Sequence, residues 1–99
     1  MSIEGSSIAI GIDAAAVANH HVVVRRPQAG RKGEVVDEFA ASPSLAGMDA
    51  LTKRLAQWPG SLAVAEPTSM TWLPLAIALG DAGVDLTLIE GIDVGTALV

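Results

Sequence analysis

The chain has 99 residues, enough for one domain with a single core and too few for a second. Hydrophobic residues make up 51% of the chain and aromatic residues only 3%, so the core must consist of Ala, Val, Leu and Ile, which favours layered α/β packing. The absence of cysteine excludes disulfides and thiolate metal sites and fits a reducing, cytoplasmic compartment. We see no secretory signal, and the longest apolar stretch, residues 72–79, is too short to span a membrane.

The charge of the chain is uneven along the sequence. A net charge of −5 argues against strong nucleic-acid binding by this chain alone, because cations dominate such affinity. All six cations nevertheless occur in adjacent pairs, and two of these pairs flank one predicted turn. The pairs are Arg25 with Arg26, Arg31 with Lys32, and Lys53 with Arg54.

The first part of the chain predicts three strands. Residues 8–13 have an isoleucine at every second position and end in a carboxylate, Asp13, which is typical of a strand (β1). Residues 20–26 are rich in valine and are stopped by Pro27, which predicts β2. Residues 34–39 predict β3, and the intervening Pro and Gly residues indicate a hairpin turn.

Helices and strands alternate in the second part of the chain. Capping hydroxyls and apolar residues at helical spacing predict helix α1 over residues 44–58, and residues 61–66 predict β4, which ends in Glu66. Helix α2 is expected over residues 72–82, with Thr71 as its N-cap and Pro74 in its first turn, and residues 84–89 predict β5. We expect an ordered core over about residues 7–90 and a tail over 91–99.

This order of elements predicts a mixed five-stranded sheet with the strand order 3-2-1-4-5 and β2 antiparallel to the others. The apolar β1 is expected at the centre, and each crossover through a helix permits parallel pairing. The carboxyl ends of β1 and β4 would then meet, so Asp13 and Glu66 become neighbours. The right-handed crossover rule places both helices on one face. A bare apolar second face would favour a homodimer or higher oligomer.

Two carboxylates at the ends of adjacent parallel strands are suited to Mg²⁺ or Mn²⁺, which prefer oxygen ligands. Such ions serve two-metal phosphodiester chemistry. The alternative is structural: Asp13 caps the turn after β1 and Glu66 is a solvated strand end.

Four segments carry a resemblance to a known family: residues 11–13 (Gly-Ile-Asp), 20–24, 65–72 (with Glu-Pro-Thr) and 82–89. They resemble the amino-terminal part of the catalytic domain of DEDD-class insertion-sequence transposases, which are related to Piv-type invertases. The resemblance implies a RuvC-like, ribonuclease H-like fold, metal-dependent cleavage and rejoining of DNA, and in some members a guide RNA. It makes Asp13 the first metal ligand and Glu66 the second.

The same family places two further aspartates and a serine-bearing domain later in the chain, and neither is recognised here. Asp93 lies in no matching context. We therefore expect a partial domain, truncated before the final helix and inactive alone, since two of four carboxylates are insufficient for two-metal chemistry.

Other candidate residues have structural explanations of their own. His20 and His21 could meet phosphate or metal, but one of two successive strand residues faces inward. Trp72 could stack on a base or join the core. Arg25, Arg26, Arg31 and Lys32 could follow a nucleic-acid backbone, or charge the hairpin merely for solubility.

Two other classes of protein remain open. The first is an actin-like or sugar-kinase-like phosphotransferase fragment, which begins with three similar strands and a Gly-Ile-Asp segment. Such a fragment needs a Gly-rich phosphate-binding loop after β1, where this chain has three alanines at residues 14–16. A non-enzymatic interaction module on the same sheet would agree with the acidic charge and the missing ligands.

Overall fold

The computed structural model describes residues 8–14, 18–28, 31–66 and 72–89, with the side chains of residues 28, 31 and 32 left aside. Within these ranges, seven elements follow one another in the order expected from the sequence. They are β1 (Ala9–Asp13), β2 (His20–Gln28), β3 (Arg31–Ala41), α1 (Leu45–Leu55), β4 (Leu62–Ala65), α2 (Trp72–Asp81) and β5 (Asp85–Leu88).

The five strands form one mixed sheet in the order β3-β2-β1-β4-β5, as predicted. β2 runs antiparallel to both β1 and β3, whereas β1, β4 and β5 are parallel to one another. At the centre, Ile12 lies between Val22 of β2 and Ala65 of β4. Each parallel step passes through a helix, which supplies the length that a parallel connection needs.

The hairpin differs from the sequence prediction in its length. Pro27 does not stop β2, which continues to Gln28, and β3 already begins at Arg31 instead of residue 34. The register shifts between Arg26 and Gln28, so Pro27 lies at an irregularity in the ladder. Because proline has no N–H to donate, such an irregularity lets a strand contain it without losing a ladder hydrogen bond.

Recognisable local features mark the beginning of α1 and both ends of the described part of α2. The Ser44 hydroxyl accepts a hydrogen bond from the Gly47 N–H at 3.0 Å, so Ser44 is the N-cap of α1. The helix ends at Leu55 and residues 56–60 form turns, three residues earlier than predicted. Pro74 lies in the first turn of α2, where its missing N–H costs little. Gly83, with φ of 79°, follows this helix.

One face of the sheet packs against both helices and forms the core. Alternate residues of the central strands point to this face and are almost fully buried: Ile10, Ile12, Val22, Val24, Ala63 and Ala65. They meet Met48, Leu51 and Leu55 from α1 and Leu75, Ala78 and Leu79 from α2. The Thr52 hydroxyl donates to the Ala78 carbonyl at 3.0 Å and joins the two helices directly. Both helices therefore lie on one face, as the crossover rule predicts.

The opposite face of the sheet is mixed in polarity, and none of the described helices packs on it. Its apolar and small residues are Ala9, Gly11, Val23, Val35, Ala40, Leu62 and Val64. Its polar residues are Asp13, His21, Arg25, Glu38, Asp85 and Thr87. This face is more polar than the sequence alternation suggested, and the expected oligomer stays a prediction.

Several sequence predictions fall outside the described residues. They concern the cap at Thr71, the centre of the hairpin turn at residues 29–30, the ends of the predicted core at residues 7 and 90, and the tail over residues 91–99. Within the described ranges, no helix is both long and apolar enough to cross a membrane.

Candidate functional site

The two predicted carboxylates lie at the same edge of the sheet. Asp13 is the last residue of β1, and Glu66 directly follows the last residue of β4. The parallel register pairs Ile12 with Ala65, so its continuation by one residue places Asp13 beside Glu66. Neighbouring strands are about 4.8 Å apart, which brings two such side chains within reach of one ion. The sequence prediction that these residues become neighbours is thus supported by the strand register.

The carboxylates belong to the sheet face on which neither of the described helices packs. Ile12 and Ala65 are buried against the helices, so the next residue on each strand points to the opposite side. Both Asp13 and Glu66 are exposed to solvent. A substrate could approach them without displacing either helix.

A histidine and a third carboxylate share this face. His21 is the register partner of Asp13 on β2, and its Nε2 lies 2.7 Å from the Glu38 Oε2 on β3. Both side chains of this pair are 53% exposed. The contact fixes the imidazole orientation next to Asp13. Glu38 was not among the candidate residues, because its contact with His21 is a diagonal one that depends on the β2–β3 register, in which Val23 is opposite Glu38.

His20 has a structural role, and His21 is the exposed residue of the pair. Only 2% of His20 is exposed, and it lies on the core side of β2. Burial lowers the pKa of His20 below the ordinary histidine value, so the neutral ring is favoured there. The expectation that one histidine faces inward and one outward is confirmed.

The donor set at the edge suits a hard cation. Two carboxylates supply oxygen ligands and leave several coordination positions to water and substrate, the arrangement that Mg²⁺ tolerates best. Across the described ranges, no group of three or more His, Asp or Glu side chains is arranged to hold an ion. Metal binding by Asp13 and Glu66 at this edge stays a prediction.

The cations of the hairpin make contacts within the hairpin itself. Arg25 Nη1 donates to the Gly33 carbonyl at 3.0 Å, and an Arg26 nitrogen lies 3.5 Å from the Glu34 carboxylate. As successive strand residues, Arg25 and Arg26 point to opposite faces. Arg31 and Lys32 belong to β3, but their side chains lie outside the described part. A nucleic-acid contact by these four residues stays a prediction.

The remaining candidate adds little to the site. Trp72 is the first residue of α2 and is partly buried, in agreement with a packing role.

The fold and the edge define a class of protein: an α/β domain with a mixed sheet and two carboxylates at the ends of adjacent parallel strands. Neither the models of known protein families nor the curated protein sequences contain a match to this chain.

Proposed function

We propose that this chain is the amino-terminal part of a metal-dependent DNA transposase of the DEDD class, in which Asp13 and Glu66 hold Mg²⁺ or Mn²⁺. The observation that carries the proposal is the parallel β1–β4 register, which ends both strands in exposed carboxylates at one edge. The Gly-Ile-Asp and Glu-Pro-Thr segments, which surround these two residues, add support from resemblance.

The role of the chain's own residues follows from their positions. Asp13 and Glu66 would bind and orient the ion, which when bound stabilises charge on the oxygens of a phosphodiester. His21, held by Glu38, would stand next to Asp13 at the same edge. With two carboxylates, the chain alone would bind metal without cleaving DNA. DNA as substrate, a guide RNA, a homo-oligomeric assembly and a cytoplasmic location are parts of this proposal.

A Mn²⁺ titration followed by NMR tests the site. Paramagnetic broadening should centre on the amides of Asp13 and Glu66 and should disappear in Asp13→Asn. Asp85→Asn is the matched control, because Asp85 is also exposed and lies on the same face, but at the opposite end of the parallel strands. It should leave the titration unchanged. Broadening spread over all eleven acidic residues would refute a defined site.

A non-enzymatic interaction module is the second candidate function. It is favoured by the finding that the described residues contain no group of three metal ligands. A carboxylate at the end of a strand can also serve only to stabilise the following turn through a hydrogen bond to the backbone. The two candidates differ in the titration: a module predicts no localised broadening, and Asp13→Asn would then change nothing.

A further inference from the structure

An apolar groove runs between α1 and α2 on the side of the helices away from the sheet. Its cavity volume is about 370 Å³. The residues along it come from both helices: Leu45, Met48, Asp49, Thr52, Leu73, Pro74, Ile77, Ala78 and Asp81. The hydrogen bond from Thr52 to the Ala78 carbonyl joins the helices at this groove, so their spacing is held by a polar contact.

The groove contains more exposed apolar surface than packing among the described residues explains. Leu45 is 92% exposed, Ile77 is 60% exposed and Leu73 is 43% exposed. These three are half of the large hydrophobic residues that are exposed among the described residues; the others are Val35, Leu62 and Leu88. Isolated exposed hydrophobic residues are common, whereas a cluster in a concave surface marks an interaction site.

The two charged residues that line the groove, Asp49 and Asp81, are both acidic. Asp81 is the last residue of α2, where the helix carbonyls add partial negative charge and no basic residue stands in the last turn. Asp49 lies along the α1 side and is bridged to Lys53 at 3.0 Å, with both side chains largely exposed to solvent. Such an exposed pair is weak, so Asp49 remains available to a competing cation.

We propose that this groove binds the apolar face of a cationic amphipathic helix, with Lys or Arg residues of that helix next to Asp81 and Asp49. Helix-in-groove recognition needs an apolar channel, and here the flanking carboxylates define the charge of the occupant. A second copy of this chain fits less well, because its net charge of −5 and its own acidic groove would bring like charges together.

The probe is a fluorescent helical peptide of leucine and lysine, about 18 residues long so that it can form a helix on binding. Its matched control carries glutamate in place of lysine on the same apolar pattern. Fluorescence anisotropy should show binding of the lysine peptide that weakens as salt rises, and much weaker binding of the glutamate peptide.

Variants assign the binding to the groove. Ile77→Asp should weaken binding of the lysine peptide by about tenfold or more, because it removes an apolar contact and buries a charge. Leu45→Ser, at the most exposed position, should weaken it as well. Val35→Asp places the same charge on β3, away from the groove, and should leave the affinity unchanged. Asp81→Asn should weaken binding several-fold and flatten its salt dependence, whereas Asp85→Asn should do neither.

Three results would overturn the proposal. The first is equal binding of the glutamate peptide, which would refute the charge argument. The second is unchanged affinity in both Ile77→Asp and Leu45→Ser. The third is sedimentation equilibrium showing a dimer of the free chain that Ile77→Asp dissociates, because a second copy would then be the occupant.

Discussion

Two glycines inside helices provide a matched test of the packing around α1. Gly47 lies in the first turn of α1, and Gly80 lies near the end of α2. Alanine in a helix is favoured over glycine by up to about 1 kcal/mol. Propensity alone therefore predicts that both Gly47→Ala and Gly80→Ala stabilise the protein. The structure instead predicts that Gly80→Ala stabilises the protein and that Gly47→Ala destabilises it.

The difference lies in what a new methyl group would meet. At Gly80 the methyl would meet nothing within 4 Å beyond its chain neighbours and its own helix backbone, so Gly80→Ala should raise the free energy of unfolding by about 0.5–1 kcal/mol. At Gly47 the methyl would overlap the backbone carbonyl oxygen of Ser42 and lie 2.7 Å from two further Ser42 atoms. Removing this overlap would require a shift of the segment that carries Ser44, the N-cap residue of α1. Overpacking of this kind costs about 1–3 kcal/mol, which exceeds the propensity gain.

Urea unfolding followed by circular dichroism measures both changes. The midpoint should rise for Gly80→Ala and fall for Gly47→Ala, with the same urea dependence as the parent chain. In thermal unfolding, a change of 1 kcal/mol corresponds to about 4–8 °C for a domain of this size. If Gly47→Ala stabilises the protein as much as Gly80→Ala, the close approach of Ser42 to the first turn of α1 is wrong.

Two further predictions concern the contacts of α1. Ser44→Ala should lower the free energy of unfolding by about 1 kcal/mol in urea titrations, since it removes the hydroxyl that accepts from Gly47, and an unchanged value would mean that the helix begins elsewhere. The Arg54 guanidinium, bonded to both Asp37 carboxylate oxygens at 2.6 and 2.8 Å, lowers the pKa of Asp37. The pair therefore contributes stability above the ordinary aspartate pKa, and this contribution is lost as the pH falls through the lowered folded value. Stability measured between about pH 5 and pH 2 should fall less steeply in Asp37→Asn than in the parent chain, and equal slopes would contradict the assignment.

The strand order could be predicted from the sequence because each step depended on local patterns and on general rules of connection. Isoleucines at alternate positions marked β1, and the helix in each crossover allowed parallel pairing. The boundaries were less predictable. The extension of β2 past Pro27 depends on a register irregularity with β3, which no property of β2 alone reveals. The end of α1 at Leu55 likewise depends on the turns that lead into β4.

The candidate site was predictable only in part, for a related reason. Asp13 and Glu66 follow from strand order, since the carboxyl ends of neighbouring parallel strands meet. The contact between His21 and Glu38 required the register of a hairpin that contains two irregularities. The groove required knowledge of which sides α1 and α2 turn toward each other. Apolar periodicity groups Leu45 with the buried Met48 and Leu51, but Leu45 is almost fully exposed, and so is much of Ile77 on α2.

The positions of the two proposed sites bear on how an acidic chain could act on DNA. The carboxylates lie on the sheet face that the described helices leave open, and the groove lies on the far side of those helices, so both can be occupied at once. DNA affinity comes mainly from cations that neutralise phosphates, and this chain has a net charge of −5. A cationic helix in the groove would offset that charge and would leave the proposed metal site at Asp13 and Glu66 open. The acidity that argues against DNA binding by this chain alone is therefore compatible with DNA binding by its complex with a basic partner.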